Sequence, residues 1–227
     1  MTRIKLVGLA VLAVLAVAAL TATASSAQLP NYLPVATAAE PTEFTATSGK
    51  TEFISSGLTL TSEKSKGTGV VNSEMDGTFD FLFEKVLFLG ILCTGLEDKE
   101  SGSVLALGNT NLRYALNSKK EKIVVVAFLL KPVHFSCAGT LAVVTGCVAG
   151  EVTPVKKATK ELVIKLETKE KDNTIVKIFN LAGTAEEPCE LKSSTNEGTV
   201  GLAAQKQEAK VTGFKNKKGA VEPEIMS

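Results

Sequence analysis

The chain has 227 residues, 44% hydrophobic, 22% charged and 5% aromatic, which excludes the disordered and fibrous classes and suffices for one sizeable core. Lysine and arginine total 25 against 24 acidic residues; without Arg3 and Lys5 the balance is 23 against 24, a net charge of −1, which excludes the usual basic footprint of nucleic-acid binding. Arg3 and Arg113 are the only arginines, so bidentate clamps for phosphate or carboxylate are scarce.

Residues 1–27 read as a secretory signal peptide. Two positive charges precede an unbroken apolar run, Leu6 to Leu20, and the small polar segment Thr21 to Ala27 ends in Ser25-Ser26-Ala27. That run is shorter than the roughly 20 apolar residues a membrane span needs. No cysteine stands at the cleavage site and no hydrophobic sorting tail closes the chain, so the expected product is secreted, with no membrane span after signal removal.

Residues 28–41, with Pro30, Pro34 and Pro41, read as an extended Pro-rich leader. From Thr42 onward, short alternating runs separated by Gly, Asn, Asp and Ser predict a single β domain over 42–214. Phe79 to Leu92 fits both a strand and one helical face, and strand is favoured because Phe79, Phe81 and Phe83 alternate. Asn111 to Leu116 and Ile123 to Leu130 form one expected hairpin, its second strand apolar on both faces and ended by Lys131-Pro132. Val133, Phe135 and Cys137 share an inward face. Ala138-Gly139 is the expected tight turn that sets Thr140 opposite Cys137. A second expected hairpin joins Glu161 to Thr168 with Thr174 to Leu181, with Leu162, Ile164 and Leu166 inward. Leu202 to Val211 carries helix formers within a β context, so a short helix is an alternative there. Residues 215–227 read as a polar tail, with Lys215-Asn216-Lys217-Lys218 an uncancelled basic patch. The expected architecture is an antiparallel two-sheet sandwich, Greek-key or jelly-roll-like, with a closed β-barrel as the alternative.

Cys93, Cys137, Cys147 and Cys189 are an even number in an exported chain, so two disulfides are expected, with all three pairings open. Zinc is disfavoured, because there is no C-x-x-C pair and His134 is the only histidine. His134 is also the only conventional general base, and the alternation turns it away from the face of Phe135 and Cys137. No G-x-S-x-G elbow is present.

Other chemistries are weakly signalled. Glu161, Glu167, Glu170, Glu186, Glu187 and Glu190 lie in Lys-rich stretches that read as solvated surface, against a glycosidase pair. Asn72, Glu74, Asp76 and Gly77 match the start of a calcium loop, but Phe83 occupies the position of the bidentate acid and Glu84 falls one residue late. A sugar-stacking platform is disfavoured by the absence of Trp and by only two tyrosines, Tyr32 and Tyr114; a polar groove near Arg113 and Tyr114 would favour polysaccharide binding.

The segments Gly77-Thr78-Phe79-Asp80-Phe81-Leu82-Phe83, Leu130 to Cys137 and Gly146 to Pro154 resemble parts of secreted proteins of soil actinobacteria of the Solirubrobacter type, a group with no assigned activity. The likeness spans most of residues 44–214. It implies export from a Gram-positive-type cell and supplies no site residues. The expectation is therefore an exported, non-catalytic structural or interaction protein without cofactor or metal, its partner a protein or a cell-envelope polymer. A polysaccharide-binding module is the alternative, and a carboxylate-dependent glycoside hydrolase stands third.

Overall fold

The computed structural model describes residues 29–55, 58–97, 100–166, 168–169, 172–173, 177–180, 183–195, 198 and 200–227. The described residues contain strands and no helix. β1 (Asn31–Leu33) precedes β2 (Thr42–Ser48), β3 (Thr51–Ser55), β4 (Leu58–Ser62) and β5 (Lys64–Val71). Then come β6 (Asp76–Glu84), β7 (Leu87–Phe88), β8 (Ile91–Gly95) and the long strands β9 (Val104–Leu116), β10 (Lys122–Cys137) and β11 (Thr140–Thr153). Short strands follow: β12 (Leu162–Leu166), β13 (Thr168–Lys169), β14 (Asp172–Asn173), β15 (Lys177–Phe179), β16 (Glu186–Pro188) and β17 (Leu191–Thr195). The chain closes with β18 (Gly201–Asn216), β19 (Gly219–Ala220) and β20 (Glu224–Met226).

The expected all-β antiparallel class and both disulfides are borne out. Sixteen strands belong to one hydrogen-bonded sheet, and its pairing returns on itself twice. One circuit runs β9, β10, β11, β12, β18, β2, β5, β6 and back to β9. The other runs β10, β8, β7, β4, β3, β18, β17, β11 and back to β10. Three long strands serve both. In β11, Ala142 to Gly146 pair with β17 while Glu151 to Thr153 pair with β12, and β18 divides in the same way. Closing the ladders leaves few unpaired edges to satisfy.

The inward faces form the main core, with Phe79, Phe81, Leu112, Val126, Phe128, Val152, Leu162 and Ile164 all buried. A smaller core lies on the opposite face of β9, β10 and β11, where Ala115, Val125, Ala127 and Ala149 pack with Ile178, Cys147 and Cys189. The β15–β16 hairpin covers that face, which explains why β10 is apolar on both sides. Cys147–Cys189 pins this cover to β11, and Cys93–Cys137 joins directly paired residues of β8 and β10.

Several local expectations are corrected. β12 pairs with β11 and β18, not with 174–181, because its three inward apolar side chains complete the wall between those long strands. Residues 168–169 pair instead with 172–173, while Thr174 to Val176 lie outside the described residues. β10 does not end at Lys131-Pro132: it continues to Cys137 through a register shift between Leu130 and Val133, a place where proline costs no ladder bond. Leu202 to Val211 is strand throughout; pairing on both sides overrides the helix propensity of Ala203, Ala204 and Gln205. The expected leader and tail pack together: β1 pairs with β20, and Ile225 is wholly buried. The basic patch is also cancelled, since Lys215 pairs with Glu43 at 3.1 Å, Lys218 with Glu40 at 3.0 Å, and Lys217 donates to the Ala39 carbonyl.

Candidate functional site

Two hairpins of the second circuit, β7–β8 and β10–β11, close in two-residue turns with positive φ at both central positions, Leu89 (50°) with Gly90 (83°) and Ala138 (52°) with Gly139 (84°). That geometry matches the twist of the strands it joins, and Thr140 pairs with Cys137 as the sequence required. Strand-end residues Ser55 of β3, Leu58 of β4, Phe88 of β7 and Thr140 of β11, together with Gly198, line a mouth with a cavity of about 400 Å³.

The floor of this cavity is apolar, formed by Phe53, Leu60, Phe135 and Ala142. Its polar side chains are neutral hydroxyls, with Ser55, Thr140, Ser193 and Thr195 among the lining residues, and no described lining residue carries a charge. Ser55 and Ser193 share a hydrogen bond across it, which ties β3 to β17. The Cys93–Cys137 disulfide fixes the β10–β11 turn to β8. Around the rim, apolar side chains face solvent: Leu58 is 51% exposed, Leu89 80% and Val200 65%. Large apolar side chains gathered on turns at one end cost solvation and mark an interaction site more often than singly scattered ones do.

Below the mouth lies a second cavity of about 80 Å³ that shares Phe53, Leu60 and Phe135 with it. A third, of about 40 Å³, shares Phe83, Ala106, Leu130 and Gln205 with the second. Small side chains create this room, since Ala106 on β9 and Ala209 on β18 stand where large residues would fill it. Neutral polar side chains interrupt the apolar wall: Thr51, Thr61, Ser62 and Gln205 at the second cavity, Gln205 and Gln207 at the third. Gln205 donates to Gln207 Oε1 at 2.6 Å, and Gln207 Nε2 donates to Ser48 Oγ at 3.0 Å and Ser65 Oγ at 3.1 Å. At the far end Tyr32, Phe44 and Phe214 close the interior, and burial pushes the Tyr32 hydroxyl well above the usual phenol range.

The residues singled out in the sequence lie elsewhere. His134 faces outward from β10 and meets only an exposed carboxylate, Glu97, at 3.2 Å. The Asn72 to Asp80 segment is a turn leading into β6, and its two aspartates are engaged within the fold: Asp76 accepts from Ser73 and Asn111, and Asp80 accepts from both the amide and the hydroxyl of Thr68. Among the described residues no group of three or more His, Cys, Asp or Glu is placed to hold a metal ion. Glu161, Glu186 and Glu190 pair with Lys210, Lys177 and Lys192, and Glu187 lies 3.9 Å from Arg113; Glu167 and Glu170 fall outside the described residues.

Arg113 and Tyr114 do not form one groove, because adjacent strand positions face opposite ways. Arg113 is buried beneath the β15–β16 hairpin and donates to the Phe179 carbonyl, while Lys122 Nζ sits 3.7 Å above the Tyr114 ring. All four cysteines are bonded. No helix among the described residues is long and apolar enough to cross a membrane. Comparison with protein-family models, curated proteins and solved structures finds no match to this chain.

Sequence reasoning missed the mouth because its signal is distributed. The clue was small and hydroxylated residues at alternate strand positions, as at Ser193 and Thr195 and at Ala203 and Gln205. Only the pairing of distant strands shows that they face one space.

Proposed function

We propose that this protein is an exported, non-catalytic binding protein that holds a small apolar ligand in the mouth of its second strand circuit. The observation carrying this reading is the cavity of about 400 Å³ framed by the ends of β3, β4, β7, β11 and β17, with an apolar floor and neutral hydroxyls. Ligand sites of this kind are concave, mostly apolar and supplied with a few orienting polar groups, at volumes of roughly 300 to 1,000 Å³. Export is supported by the N-terminal pattern and fits two disulfides, which persist in oxidising compartments.

The test is fluorescence titration of the purified, oxidised protein with N-phenyl-naphthylamine, a neutral apolar probe that brightens out of water. Saturable enhancement is expected, weakened at least about tenfold by Ala142→Trp, which fills the mouth. Thr140→Trp, at the exposed first position of β11, provides a second block with little demand on the core. Absence of enhancement, or full binding by both folded variants, would overturn the reading.

A further inference from the structure

We infer that the ligand is a neutral single-chain amphiphile, its head among the mouth hydroxyls and its hydrocarbon tail threaded inward past Phe53, Leu60 and Phe135. This rests on the proposed binding role of the mouth and adds the shape and charge of what it holds.

Shape comes from the succession of cavities. The mouth is wide, at about 400 Å³, and the spaces beneath it narrow to about 80 and then 40 Å³. Each shares wall residues with the next, with Leu60 between the first two and Leu130 between the second and third. A fused ring system fits only the first space; an unbranched chain fits the series. The inner walls are mostly apolar and uncharged, with Phe83, Val133, Val144 and Ala106 around the second cavity beside Thr51, Thr61, Ser62 and Gln205. Apolar surface that water hydrates poorly gains most from a hydrocarbon occupant.

Charge comes from the head region. Ser55, Thr140, Ser193 and Thr195 offer donors and acceptors, whereas no described lining residue offers a cation for a carboxylate or phosphate. An anionic head brought there would lose water without gaining a counter-charge, which is costly. A head bearing hydroxyls or an ester exchanges water for the mouth hydroxyls at little loss. The exposed apolar rim at Leu58, Leu89 and Val200 gives the tail a path from outside that stays in apolar contact.

The experiment displaces N-phenyl-naphthylamine from the unmodified protein with monocaprylin, monocaprin and monolaurin, and with laurate at neutral pH. Each added methylene should strengthen displacement on the order of three- to fourfold while the tail descends. Monolaurin should exceed laurate by at least about tenfold. Ala106→Phe, which blocks the inner spaces, should flatten the chain-length series. Probe binding without any chain-length dependence would overturn this inference while leaving the mouth reading intact. Laurate equal to monolaurin would overturn the neutral head. If the probe itself does not bind, the mouth reading falls first and this inference with it.

Discussion

Gly69 on β5 stands directly opposite Phe44 on β2, and the Phe44 ring occupies the space that a side chain at 69 would need. A Cβ added there would lie 2.7 Å from Phe44 Cε2 and 2.6 Å from the Thr78 carbonyl oxygen. The glycine therefore makes the ring's burial against Phe214 possible, with centroids 6.0 Å apart. Gly69→Ala should cost about 2 kcal/mol by overpacking. Combined with Phe44→Leu, the loss should be smaller than the sum of the two single changes, because the smaller side chain yields the space. Urea denaturation of the four proteins measures this, and strict additivity would show that ring and glycine do not compete.

Each disulfide closes a long loop, with sequence separations of 44 and 42 residues. In the chain-entropy account each stabilises by about 4 kcal/mol, and measured cases centre on roughly 2 to 4. Replacing Cys147 and Cys189 together by serine should lower the thermal midpoint and free the β15–β16 cover. Protection of the β10 amides behind it should then fall in hydrogen exchange more than protection of β5. Equal loss in the two strands would contradict a local role for this bond. Thiol labelling of the unmodified protein should find no reactive cysteine.

Arg113 is a buried cation with sparse compensation. Its guanidinium donates to the Phe179 carbonyl at 3.3 Å and to Asn111 at 3.5 Å, lies 3.9 Å from Glu187, and leaves Nε without a partner. Burial pulls its pKa below the usual guanidinium value, partly offset by Glu187 and Asp76. Arg113→Met keeps the volume and removes the desolvated charge, so stability should change by less than about 1 kcal/mol or rise. Arg113→Ala, which leaves a cavity, should cost about 2 kcal/mol or more. A large loss with methionine in denaturant unfolding would show that the weak partners matter more than the burial.

Glu84, held by Lys66 at 2.7 Å and Lys64 at 3.0 Å, has its carboxyl lowered by hydrogen bonds from these two ammonium groups. A folded-state value below the unfolded one means that its contribution is present above the unfolded carboxylate range and is lost as pH falls through the folded value. Glu84→Gln should therefore lose less stability on acidification than the parent, with little difference between them in salt-rich buffer. Stability curves that stay parallel from neutral to acid pH would refute this.

Periodicity alone determined much of this protein. Alternation in Val133 to Cys137 and Leu162 to Leu166 fixed strand and inward face, because a side-chain period of two admits one buried set. The turn at Ala138-Gly139 was legible for the same local reason, and an even set of four cysteines behind an N-terminal segment that reads as a signal peptide implied two bonds. Tertiary structure decided what depends on distant partners. Leu202 to Val211 became strand because β2, β3, β12 and β17 hydrogen-bond to it, a gain that outweighs the propensity of a few alanines and glutamines. The disulfide pairing followed from which strands became neighbours. The mouth arose only where Ser55, Phe88, Thr140 and Thr195, far apart in the chain, came to one end of a closed circuit, since a cavity is a property of the space between elements and no single stretch of sequence contains it.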